Sequence, residues 1–143
     1  MPFRRFTSPG VHWVWVSMIL YAASCFLPAM GGFLGGAPVS GWECLVSFIY
    51  FIPAWWANPA YFVSLILCWC RRRRAAACFA GAAAVLACSF ELMGVPNRGW
   101  MAALGQQEIG CYVWIASIQI LACNLVWQEW LARRKRRAQL EIG

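Results

Sequence analysis

Four long apolar runs, separated by short polar or basic stretches, dominate the pattern of this chain. They cover residues 11–29, 44–70, 75–93 and 109–131. A helix of about 20 apolar residues is long enough to cross the roughly 30 Å hydrocarbon core of a bilayer. The pattern therefore predicts an all-α fold, a four-transmembrane-helix bundle that forms a single integral membrane domain over residues 1–143.

The second run is longer than one crossing needs, and Asn58 and Pro59 interrupt it. Proline removes a backbone donor and biases the preceding residue away from helical angles. We therefore expect an outer interfacial segment over residues 43–52 and a crossing over residues 53–70. Two forms stay open at Asn58 and Pro59. One is a proline-kinked helix, and the other is a broken helix, capped by Asn58, whose positive end could hold an anion or a partner's carbonyl oxygen.

The start of the chain also resembles a cleaved lipoprotein signal that ends at Cys25. The apolar run continues through Phe26 and Leu27, however, so we expect a retained first helix over residues 11–29. Six glycine and proline residues then fall within residues 30–42, which predicts an irregular outer loop.

The basic residues give the predicted bundle an orientation. Of 12 lysines and arginines, 11 lie at the two termini or between the second and third runs, and only Arg98 lies on the other side. Short loops rich in Lys and Arg stay in the cytoplasm, so both termini are predicted to be cytoplasmic. Only 12% of the residues are charged, against about 25% in soluble domains. These features predict a multi-pass protein of the bacterial inner membrane.

The net charge of +7 comes from short basic clusters between apolar runs, not from a solvated basic face. This pattern argues against nucleic-acid binding. It favours contacts with membrane lipids, including anionic headgroups, at about 1 kcal/mol per basic residue. The clusters expected to make these contacts are Arg71, Arg72, Arg73 and Arg74, and Arg133, Arg134, Lys135, Arg136 and Arg137.

A polar stripe follows one face of the fourth predicted helix. Ser117, Asn124 and Gln128 recur at spacings of three to four residues or their multiples, which place side chains on one face. Buried amides prefer a hydrogen-bond partner to lipid, so we expect this stripe to face the bundle as structural contacts. Lining of a conduction pathway is the alternative.

The third predicted helix carries small residues at four-residue steps, among them Ala76, Ala80 and Ala84. Small residues let the backbones of membrane helices approach closely. We therefore expect this helix to lie centrally in the bundle.

Two further pairs are predicted at the outer end. Glu91 and Arg98 flank a short turn and form a candidate ion pair. Cys44 and Cys111 fall near the outer ends of their runs and form a candidate disulfide in an oxidising compartment. No Cys-x-x-Cys pair, metal-ligand cluster, phosphate loop or catalytic triad is visible in the sequence, so we expect no enzyme activity, no cofactor and no metal.

Five short stretches carry a resemblance to known proteins: "CFLPA" (25–29), "GWECL" (41–45), "ANP" (57–59), "LACSFEL" (86–92) and "YVWIAS" (112–117). Together they resemble a loose group of small bacterial four-helix inner-membrane proteins. The resemblance implies an inner-membrane location, and it transfers neither an activity nor a site.

Three functions fit the sequence. The leading expectation is a non-enzymatic accessory or structural subunit of a membrane complex, or a homo-oligomer, because the loops are short and the third helix suits close packing. A small oligomeric transporter or channel is the second, and it requires a water-accessible polar lining. A membrane immunity protein against a membrane-targeting toxin is the third, since it also needs no catalytic group.

Overall fold

The chain is mostly helical in a computed structural model that describes residues 10–30, 38–46, 53–93 and 108–142. Five α-helices lie in these ranges: α1 (Val11–Phe26), α2 (Gly41–Val46), α3 (Ala57–Trp69), α4 (Arg73–Met93) and α5 (Ile109–Ile142). A short 3₁₀ helix over Pro53–Trp56 runs directly into α3, and two strands, β1 (Pro28–Met30) and β2 (Val39–Ser40), form an antiparallel pair. The predicted all-α class is confirmed.

Among the described helices, one segment of α5, over Ile109–Leu140, is long and apolar enough to cross a membrane. The helix α1 is also apolar but shorter. Four crossings therefore stay a prediction.

The four longest helices, which are α1, α3, α4 and α5, pack side by side with alternating directions. The helix α1 packs against α5, α5 against α4, and α4 against α3. Ser17 contacts Tyr61, whereas Tyr21, one turn later in α1, contacts Asn58. The rising number in α1 matches a falling number in α3, so these two helices are antiparallel. Arg74 and Glu129 likewise place the first turn of α4 beside the second half of α5.

The central position of α4 agrees with its small residues. Its buried face consists of alanines, and Ala76, Ala83 and Ala87 have no exposed surface. This face lies between α3 and α5, which both contact α4. The expectation of a close-packed helix is confirmed, since a residue without a long side chain lets both neighbours approach.

The helix α5 is longer than the apolar pattern predicted. It continues without a break to Ile142, whereas the fourth run ends at residue 131. Its 34 residues span about 51 Å, well beyond the hydrocarbon thickness. Arg133 and Arg136 both contact Glu129 one and two turns earlier on the helix. The Glu129–Arg133 pair, at i,i+4 spacing, supports a helix that continues beyond the apolar run.

The segment over residues 30–42, predicted as an irregular loop, forms part of a strand pair and a helix at the residues that the structure describes, 30 and 38–42. Pro28 pairs with Ser40 and Met30 with Val39, so the two strands meet at the end of α1. The Gly41 amide donates to the Leu27 carbonyl at 3.0 Å. A Cβ at Gly41 would collide with the Ser24 carbonyl oxygen. Only glycine permits this close approach of α2 to the end of α1.

The turn between α3 and α4 ends α3 with a Schellman motif. Arg72 N donates to Leu67 O at 2.9 Å, and Arg71 N donates to Cys68 O at 3.0 Å. The motif requires a left-handed residue, usually glycine, at the position that Arg71 occupies with φ of 61°.

We expect Arg71→Gly to raise the free energy of unfolding by about 1 kcal/mol, because a side chain in left-handed backbone is strained. Denaturant titration in mixed micelles measures the change. The matched control is Arg72→Gly, which removes the same charge at the neighbouring position and brings no relief of strain. Equal effects of the two substitutions would contradict the prediction.

Candidate functional site

Asn58 lies at the start of α3, in the second residue of the helix. The N-cap position belongs to Trp56, which makes no side-chain capping bond, so the expectation that Asn58 caps the helix is not met. Pro59 follows within the first turn, where a backbone N–H has no intrahelical acceptor in any case. The sequence "ANP" therefore marks the change from a 3₁₀ to an α-helix, and the Asn58 side chain is directed to other partners.

The side chain of Asn58 joins three helices. Its Oδ1 accepts hydrogen bonds from the Tyr21 hydroxyl of α1 and the Trp114 indole of α5, each at 2.8 Å. An indole N–H can only donate, so the Trp114 contact fixes which end of the amide is the oxygen. Asn58 is 7% exposed. The site is thus a buried polar junction of α1, α3 and α5.

A second buried layer of hydrogen bonds lies one helical turn from the Asn58 junction. The Ser17 hydroxyl contacts the Tyr61 hydroxyl at 2.9 Å and donates to the Ser117 carbonyl oxygen at 2.8 Å. The rings of Tyr21 and Tyr61 stack between the layers, with centroids 4.7 Å apart. Together the two layers link the same three helices through complementary donors and acceptors.

A cavity of about 90 Å³ lies next to Asn58, at the end of the bundle that holds the strand pair. Its wall is mostly apolar and contains the indoles of Trp55 and Trp114. The lining residues are Tyr21, Ser24, Cys25, Ala29, Gly41, Cys44, Leu45, Ala54, Trp55, Asn58, Gly110, Cys111 and Trp114. Residues of α1, β1, α2, the 3₁₀ helix, α3 and α5 therefore meet around one space.

The candidate disulfide residues both line this cavity. Cys44 and Cys111 are thiols in the structure. The disulfide between them stays a prediction, and a mass spectrum of the unreduced protein distinguishes the bonded from the reduced form.

The candidate polar stripe divides into two sites, with Ser117 buried and both Asn124 and Gln128 half-buried. The Ser117 hydroxyl donates to Trp114 O in the buried centre at 2.7 Å. Asn124 Nδ2 donates to Gly10 O at 3.1 Å, and Gln128 Nε2 donates to Asn124 Oδ1 at 2.9 Å. The amides thus fasten the start of α1 to α5, while Ser117 belongs to the central layer.

Glu129 forms an ion cluster that the sequence analysis did not identify. Its Oε1 contacts Arg133 at 3.1 Å and both Arg74 and Arg136 at 3.3 Å. The spacing of Glu129 and Arg133 was the available signal, whereas Arg74 comes from another helix. The arginines are at least half exposed, so each pair contributes at most about 1 kcal/mol. The cluster ties the start of α4 to α5.

Glu43, in α2, and Glu91, near the end of α4, lie at the opposite end of the bundle. Arg98 and the side chain of Glu91 are outside the described residues, so their ion pair stays a prediction. Glu43 forms a capping box with Ser40: its carboxylate accepts from the Ser40 amide at 2.7 Å and the Ser40 hydroxyl at 2.8 Å. These hydrogen bonds lower the pKa of Glu43. The spacing Ser-x-x-Glu in the sequence was the signal for this cap.

No group of three His, Cys, Asp or Glu side chains lies close enough to hold a metal within the described ranges. Comparisons with family models, with curated proteins and with solved structures find no match to this chain. Evidence about function therefore comes from the geometry of the bundle itself.

Proposed function

We propose that the chain is a multi-pass inner-membrane protein whose four long helices all cross the bilayer. Large apolar side chains on the outside of the bundle support this. Phe26 is 87% exposed, Trp69 74% and Val85 72%, while serines and Asn58 are buried inside. A soluble protein rarely leaves so many large apolar side chains exposed to water. Lipid tails cover it without cost in a membrane.

The ends of the bundle support the cytoplasmic placement of both termini. Gly10, at the start of α1, contacts Asn124 and lies at the same end as the Arg74–Glu129 pair. The opposite end joins the strand pair to the start of α5, where Glu108 N donates to Ala29 O at 3.1 Å. The basic clusters of the described chain thus share one end, which the positive-inside rule assigns to the cytoplasm.

Within this membrane setting, the proposed role is that of a non-enzymatic accessory or structural subunit of a larger complex, or of a homo-oligomer. The observation that carries it is the internal pairing of the buried polar groups. Ser17, Asn58 and Ser117 bond to other groups of the same chain. Every fully buried polar side-chain atom of the described part has a partner. The bundle then presents a mainly apolar, aromatic exterior to other membrane helices.

Co-purification tests this role. The tagged protein is extracted in mild detergent, and its mass and companions are measured by native mass spectrometry. We expect a stoichiometric partner protein or a second copy. An unrelated tagged membrane protein provides the control for chance association. A monomer that carries only lipid would contradict the proposed role.

Cysteine accessibility separates this role from a transport pathway. In a background without native cysteines, we expect Ser117→Cys, Leu121→Cys and Leu125→Cys to be unreactive toward a membrane-impermeant maleimide, because these positions are dry helix contacts. Glu43→Cys, which is exposed at the outer end, is the reactive control. Reaction at successive positions along α5 would instead support a water-filled path.

A further inference from the structure

We propose that the cavity beside Asn58 binds the carbonyl group of a neutral, mainly apolar molecule from the membrane. The proposal goes beyond the accessory role and rests on three features of the site: an unpaired donor, an apolar wall and an opening.

The unpaired donor is the amide nitrogen of Asn58. Both contacts of Asn58 are made by its oxygen, and the Trp114 indole fixes that orientation. Its Nδ2 has no hydrogen-bond partner among the described residues. Because all fully enclosed polar side-chain atoms there are paired, Nδ2 must reach open space, and the space that Asn58 lines is the cavity. A buried amide with two free protons requires an acceptor.

The apolar wall determines what kind of acceptor fits. Two other polar side chains that line the space are already engaged, since the Ser24 hydroxyl donates to Tyr21 O and the Trp55 indole donates to Leu45 O. An ordered water needs about two to four polar partners, and the Asn58 amide is the strong side-chain donor that stays available in the described wall. A carbonyl oxygen needs only the donor, while its apolar body contacts Trp55, Leu45 and Ala54. A charged ligand would find no counter-ion, since no ionisable acid or base other than tyrosine and cysteine lines the cavity.

The volume limits the part of the ligand that enters. About 90 Å³ corresponds to roughly three water molecules, which is enough for a carbonyl group and a few attached atoms. The remainder of the molecule extends out of the cavity through its open side. Two sources share this chemistry: a ring carbonyl of a lipophilic quinone, and an ester carbonyl of a phospholipid acyl chain.

The test uses cysteines that the chain already holds. Cys44 lines the cavity, whereas Cys78 and Cys123 are exposed on the outside of the bundle and serve as internal controls. The full chain is first reduced with a phosphine, so that Cys44 is a thiol whether or not it pairs with Cys111, and the reductant is removed. The protein is placed in nanodiscs of ether-linked phosphatidylcholine, which has no acyl carbonyl, and alkylation by N-ethylmaleimide is followed at each cysteine by mass spectrometry. Decylubiquinone is then added. In a second arm, ester-linked phosphatidylcholine replaces the ether lipid.

We expect saturable protection of Cys44, with Cys78 and Cys123 unchanged, in the arm that contains the correct carbonyl source. The control variant Tyr21→Phe/Trp114→Phe keeps the Asn58 donor and should keep the protection. The triple variant Tyr21→Phe/Trp114→Phe/Asn58→Leu removes that donor together with the two groups that need its oxygen. Binding to the triple variant should be weaker than binding to the control by about tenfold, the value of one hydrogen bond. Ala29→Leu fills the cavity and should abolish protection while leaving Asn58 in place.

Three results would overturn the proposal. One is the absence of protection of Cys44 in both arms, which would mean that the cavity holds only water or nothing. Another is equal protection in the Tyr21→Phe/Trp114→Phe control and in the triple variant. The last is equal protection of all cysteines, which indicates partition into the nanodisc. A co-purifying partner protein has no bearing on these outcomes, so this proposal and the accessory role fail independently.

Discussion

Replacing Asn58 with leucine is expected to lower the free energy of unfolding by about 2–4 kcal/mol. Leucine has a similar size, so packing changes little, but the Tyr21 hydroxyl and the Trp114 indole both lose their acceptor. A buried donor left without a partner costs about 1–3 kcal/mol. In membranes the cost falls toward the lower end, because the unfolded state also finds partners.

A double-mutant cycle distinguishes the loss of these hydrogen bonds from a general packing defect. Tyr21→Phe alone should cost about 1 kcal/mol, since it removes a donor and leaves Asn58 with Trp114. Tyr21→Phe combined with Asn58→Leu should cost less than the sum of the two, because the unpaired hydroxyl is then absent. Unfolding is followed by denaturant titration in mixed micelles. Strict additivity, or an Asn58→Leu variant as stable as the wild type, would contradict the geometry of this junction.

Ala83→Leu is expected to destabilise the bundle by about 2–3 kcal/mol or to prevent its assembly. Ala83 has no exposed surface and lies on the face of α4 between α3 and α5. A larger side chain there forces the helices apart, and overpacking of this kind costs about 1–3 kcal/mol, sometimes more. The loss should be visible both as lower stability and as a broadened elution profile in detergent.

The adjacent residue provides the control for this substitution. Ala82 lies on the exposed side of the same helix, so Ala82→Leu makes the same chemical change toward lipid. Its effect should stay within about 0.5 kcal/mol. Similar effects of Ala83→Leu and Ala82→Leu would mean that α4 is not the central helix.

Much of the helical arrangement could be predicted from the apolar pattern. The runs from residue 11 and from residue 109 start where α1 and α5 start, because apolar residues change there to polar or glycine-rich sequence. The end of α5 could not be predicted in this way. Hydropathy marks where lipid ends and not where a helix ends, and Arg133 through Arg137 are good helix formers.

The sequence draws attention to Asn58, but the structure gives its side chain different contacts from those expected. Asn58 attracted attention because it precedes a proline inside an apolar run, which led to the expectation of a helix cap. Its actual partners, Tyr21 and Trp114, lie 37 and 56 residues away. An aromatic residue that hydrogen-bonds in the interior and one that anchors at an interface look alike in the sequence. Only packing of three helices reveals the difference.

The central claim is that the bundle crosses the membrane with its basic end in the cytoplasm. Single cysteines at Glu43, Arg72 and Arg134, in a background without native cysteines, test it most directly when intact cells are treated with a membrane-impermeant maleimide. We predict labelling of Glu43→Cys alone in intact cells, and labelling of Arg72→Cys and Arg134→Cys only after the inner membrane is opened. Labelling of Arg72→Cys or Arg134→Cys in intact cells, or release of the protein from membranes by alkaline carbonate, would contradict it.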